Sequence, residues 1–132
     1  MGVSVSSGNT SITGTATTVI QKQTVLFATA TRTTVGTTTI LTTTVGKTTR
    51  IIGMNLKVSG QGGSNTVAAI TIDGATALQA VSNTSATGCC VDEASFKGSY
   101  SDAIVVAASK VIAITESGAT GQEFAEIYYV EE

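Results

Sequence analysis

Apolar and polar residues alternate along much of this chain in short runs with a period of two, the spacing of a pleated strand with one buried face. From Arg50, residues Ile52, Met54, Leu56 and Val58 fall on one side, with Ile51, Gly53, Asn55 and Lys57 on the other, which predicts a half-buried strand. A glycine-rich loop, SGQGGSN, occupies 59–65 and leads to a strand over 66–72 in which Ala68, Ile70 and Ile72 share a face. Asp73 and Gly74 both tolerate the positive φ of a type I′ bend, so a tight hairpin is predicted into a strand over 76–81. Periodicity is weakest over 82–102, which reads as loops around one short strand. It returns over 103–107 and 110–116, two strands joined by a bend at Ala108 and Ser109. The last strand, 123–131, sets Ala125, Ile127 and Tyr129 against Phe124, Glu126 and Tyr128.

Upstream the pattern is looser. Residues 1–30 are rich in Ser, Thr and Gly and read as an extended N-terminal arm leading into a first strand; residues 31–132 read as one sandwich domain. Thr33-Thr34-Val35-Gly36 is echoed ten residues later by Thr43-Thr44-Val45-Gly46. Two copies are too few for a solenoid, and the echo predicts two successive strand-turn units with glycine at each bend. Some eight short strands at turn-like spacing predict an all-β fold, a β-sandwich of jelly-roll-like kind.

Composition supports that class. The chain has 25 threonines, 18 of them in the first fifty residues, and a side chain branched at Cβ favours the pleated surface over the helix. Proline is absent and glycine numbers 14, so the turns fall to Gly, Asn, Asp and Ser. Aromatic residues make up only 5% of a chain that is 42% hydrophobic, so the predicted core is built from Val, Ile and Ala. Charged residues reach only 12% and the net charge is -2, a hydroxyl-rich surface suited to a subunit packed among neighbours or facing an extracellular medium. Seven basic residues spread thinly form no stripe for phosphate contacts, so no nucleic-acid partner is expected. The opening MGVSVSSGNT has neither a basic nor an apolar leader region, and no apolar run approaches the roughly 18 residues that span a bilayer, so no membrane partner is expected.

The chemistry available is narrow. Without histidine, Ser-His-Asp and Cys-His catalysis are excluded and the commonest transition-metal ligand is missing. Gly46-Lys47-Thr48 resembles the tail of a phosphate-binding loop, but position 41, where the earlier glycine belongs, is Leu41, and a turn lysine is the simpler reading. Asp92, Glu93 and Asp102 could converge on calcium from one loop region, though no known ligand spacing supports it and solvated loop charges explain them as well. Neither enzyme activity nor a cofactor is expected. Cys89 and Cys90 are adjacent and point to opposite sides if they lie on a strand, so one buried and one outward thiol, a disulfide between subunits, or a strained bridge between the two neighbours are the readings they allow. Phe124, Tyr128 and Tyr129 place aromatic rings on both sides of the last strand; one set should fill the core and the other is a candidate interface with a neighbouring subunit.

Four segments carry a resemblance: 41–54, LTTTVGKTTRIIGM; 69–74, AITIDG; the strands of 105–114; and the terminal Glu126-Ile127-Tyr128-Tyr129-Val130-Glu131. Over about the last ninety residues the chain resembles bacteriophage and viral virion structural proteins with β-sandwich folds. The resemblance implies a virion location, as a head decoration, minor capsid or tail-associated subunit. It implies partners that are copies of itself, often as trimers, and other capsid or virion proteins, with terminal arms that lock onto neighbours. A second reading from the residues is a secreted or cell-surface binding module, pilin-like or carbohydrate-binding, with Tyr100, Tyr128 and Tyr129 as stacking platforms.

Overall fold

The computed structural model describes residues 2–6, 9–13, 23–60, 66–82, 90–117 and 121–132. All regular structure in them is β. Gly2–Ser6 (β1) and Asn9–Thr13 (β2) pair antiparallel as a two-stranded ribbon of their own. The other strands are Leu26–Arg32 (β3), Gly36–Thr42 (β4), Thr49–Gly60 (β5), Thr66–Ile72 (β6), Ala75–Ser82 (β7), Cys90–Lys97 (β8), Ile104–Val106 (β9), Val111–Ser117 (β10) and Gly121–Glu131 (β11). They build two antiparallel sheets packed face to face. One has the order β3-β11-β5-β8, with β9 also on β5; the other has the order β4-β10-β6-β7.

That order identifies the sandwich as a jelly roll. With the short β9 set aside, the eight strands counted from β3 in chain order stand as first, eighth, third and sixth in one sheet, and second, seventh, fourth and fifth in the other. This is a long antiparallel hairpin rolled up on itself, with the β6–β7 turn at its tip. Asp73 (φ 51) and Gly74 (φ 84) make that turn in the left-handed region, as type I′ geometry requires. Gly46 (φ 77) sits in the bend between β4 and β5, where the Lys47 amide donates to the Thr44 carbonyl.

The core lies between the sheets and is aliphatic. Met54, Leu56 and Val58 from β5 meet Ala68 and Ile70 from β6, Ile112 and Ile114 from β10, and Ala125 and Ile127 from β11. Ile52 departs from the predicted alternation. Opposite β11 the register skips it, Tyr128 pairing with Gly53 and Tyr129 with Ile51, so a β-bulge turns Ile51 into the core and leaves Ile52 half-buried on the other side. The one strand expected among the loops of 82–102 is the eight-residue β8, at the edge of the larger sheet. Cys89 and the side chain of Cys90 lie outside the described residues.

Candidate interaction face

The outward side of the larger sheet is where the remaining apolar side chains collect. Because β3, β11, β5 and β8 run in register, their outward residues line up in three rows: Phe27, Tyr128, Gly53 and Lys97; Thr29, Glu126, Asn55 and Ser95; Thr31, Phe124, Lys57 and Glu93. Phe27 is 68% exposed, a large cost in water-facing apolar area for one side chain. Its ring lies 6.5 Å from that of Tyr128, tilted by 40°. Val25, half exposed just ahead of β3, and Ile52 on its bulge extend the apolar area around this pair.

Gly53 shapes the surface by having no side chain. Between Tyr128 and Lys97 nothing rises from β5, and a hollow of about 400 Å³ opens there, lined by Val25, Ile52, Tyr128 and Phe96 among others. A second hollow of about 570 Å³ over Asn55, Ser95 and Glu126 adjoins it, and a third of about 360 Å³ beside Thr31, Ser59 and Phe124 adjoins the second. Together they form a shallow trough along β5.

Several polar groups of the face are paired with each other. Glu126 accepts from Asn55 Nδ2 at 3.3 Å and from the Tyr128 hydroxyl, and that bond raises the Tyr128 phenol above its ordinary value. Lys57 and Glu93 form an ion pair at 3.2 Å, mostly exposed and so of small energetic weight. Lys57, Lys97, Glu93 and Glu126 balance in charge, which lets the face approach a copy of itself without like-charge repulsion.

Of the aromatic residues singled out from sequence, Phe124 and Tyr128 lie on this face. Tyr129 points the other way, into the core beside Ala125 and Ile127. Tyr100 is on a loop and is occupied: Arg50 stacks over its ring at 4.7 Å and its hydroxyl donates to Glu132. That hydrogen bond first, and second one that Arg50 Nε donates to the same carboxylate at 2.5 Å, hold Glu132 below the ordinary carboxylate range. Neither residue therefore stands as a free stacking platform. Phe27 was missed from sequence, although Leu26, Ala28 and Ala30 alternate with it and turn inward.

The other candidate groups are not brought together. Asp92 accepts from the Val81 amide, Glu93 pairs with Lys57 and Asp102 accepts from Ser99. Among the described residues no three acidic or cysteine side chains cluster as a metal site. Lys47 sits in a strand-to-strand bend, 3.6 Å from Glu131, and β5 rather than a helix follows it. No family model matches this chain, and no curated protein or solved structure matches it.

Proposed function

We propose that this chain is a virion structural protein, a capsid decoration or minor capsid subunit that acts by covering and being covered. The observation that carries the reading is the outward face of the larger sheet, where Phe27, Val25 and Tyr128 form a charge-balanced apolar patch on an otherwise hydroxyl-rich surface. Patches of this kind mark sites of protein association. A jelly roll serves capsid proteins, lectins and cupins alike, so the fold supports the reading without deciding it. The ribbon of β1 and β2 adds support, because two strands alone are marginal in water and gain from a further surface. The edge strands β4 and β7 carry no charged residue, so they lack one device that discourages strand addition by a neighbour.

The test is Phe27→Arg. This side chain contributes little to the core, so the variant should keep the thermal stability of the parent while its self-association and attachment to particles fall by tenfold or more, an effect of about 1.4 kcal/mol or greater. Unchanged assembly in a folded variant would refute the role given to this face.

A second reading, a glycan-binding module, is favoured by the trough along β5. Its rim carries Tyr128 and Phe124, and its floor and far side carry Asn55, Ser95, Lys57 and Glu93. A sheet face, unlike a sheet edge, offers no backbone groups to an extended peptide, whereas rings and amides suit the faces and hydroxyls of sugars. Binding to a glycan array that is lost in Tyr128→Ala, with assembly intact, would favour this reading over the first.

A further inference from the structure

Near the end of β10 and the start of β11, each sheet contributes a buried glutamate, and the two are close enough to interact directly. Glu116 comes from the smaller sheet and Glu123 from the larger; they are 4% and 0% exposed, and none of their four carboxylate oxygens has a hydrogen-bond partner. Ionised carboxylates are acceptors only, so two that face each other can form no bond. A single proton changes this. It supplies a donor, removes one of two like charges, and converts repulsion into a hydrogen bond between the sheets.

The surroundings offer one other charge. Arg32 pairs in register with Glu123, and its guanidinium is engaged by the Thr38 hydroxyl and the Val35 carbonyl. Its Nε is buried and unpaired. The strands β4, β6 and β7 contain no ionisable residue. On β5, Lys57 faces outward to Glu93, and on β8, Asp92 is held by the Val81 amide. On β11, Glu126 faces outward to Asn55 and Tyr128. Segments 33–35, 61–65 and 118–120 contain no ionisable residue, and 83–89 contains only the thiol of Cys89. One cation thus stands against two buried carboxylates, which leaves one negative charge for a proton to neutralise.

We infer that Glu116 and Glu123 share one proton in the folded protein, and that the shared proton is a clasp between the two sheets which opens when it is lost. With the proton gone, both carboxylates need water, and water reaches them only if this end of the sandwich parts. Burial, then the hydrogen bond and the repulsion from Glu116, push the Glu123 carboxyl up from its ordinary 4.5 to about 8, with Arg32 pulling the other way. A carboxyl whose value is raised by folding gives its full stabilisation below its unfolded value and loses it as pH rises through the folded one. The clasp is therefore closed in acid and at neutral pH, and released in mildly alkaline solution.

The experiment is thermal unfolding of the full chain from about pH 5 to about pH 9, for the parent, Glu123→Gln and Glu116→Gln, with infrared spectra of the parent over the same range. The expected result is a parent midpoint that falls across this range and variants whose midpoints fall much less. A protonated-carboxyl C=O band should be present in the parent at neutral pH and absent at the alkaline end. A parent midpoint independent of pH, a slope retained in both variants, or no such band at neutral pH would each overturn the clasp. Should one variant not fold, the other tests the same pair from the opposite sheet, and the infrared band needs no variant.

Discussion

Two buried threonines show how one side chain can act in opposite ways. Thr43 is a staple: its hydroxyl donates to the Ala107 carbonyl at 2.7 Å and accepts from the Lys110 amide at 2.7 Å, while its own amide and carbonyl bind Lys110 and Ser109. These bonds fasten the end of β4 to the bend before β10, where Ser109 is held at a φ of 60. Thr49 is as deeply buried, but its hydroxyl has no partner. Thr43→Val should therefore cost about 1–3 kcal/mol, whereas Thr49→Val should be neutral or stabilise by about 1 kcal/mol. Urea midpoints of the two variants check this, and the reverse order would contradict the hydrogen bonding described. The abundance of threonine pointed to strands from the start. Which hydroxyls are bonded was beyond it, because the partners of Thr43 lie more than sixty residues away.

At the scale of elements, patterning was most legible where both faces of a strand differ sharply. The inward set Ala125, Ile127 and Tyr129, the Asp73-Gly74 turn and the glycine bends at Gly36 and Gly46 all stood in the sequence. For β8 the sequence showed a short strand but neither its bounds nor its faces, because it is an edge strand: Ala94 and Phe96 turn inward between Glu93, Ser95 and Lys97, and one large apolar residue is a faint signal. The bulge at Ile52 left no trace, since Ile51 and Ile52 are the same residue type and only the pairing with β11 tells them apart. The two isoleucines supply a test. Ile51→Ala should cost about 2–5 kcal/mol, as for a filled core position, and Ile52→Ala distinctly less. Denaturant titration decides it, and a larger loss at Ile52 would mean that β5 runs straight.

The order of strands belongs to the whole molecule. Periodicity says which face of a strand is apolar, but it does not say that the first sandwich strand lies beside the last, as β3 lies beside β11. The interaction face has the same origin: Phe27 and Tyr128 are a hundred residues apart in the chain and become neighbours only through that pairing. Sequence alone identified Tyr128 and Phe124 on one side of the last strand, and the larger part of the patch came from the partner strand it could not see. Such a face is stable in water at a cost in exposed apolar area, and covering it with another subunit recovers that cost. Sedimentation velocity of the unmodified chain over a wide concentration range tests this most directly. The account predicts a discrete assembly larger than one chain, with no monomer dominating at high concentration. A single monomeric species throughout would contradict it.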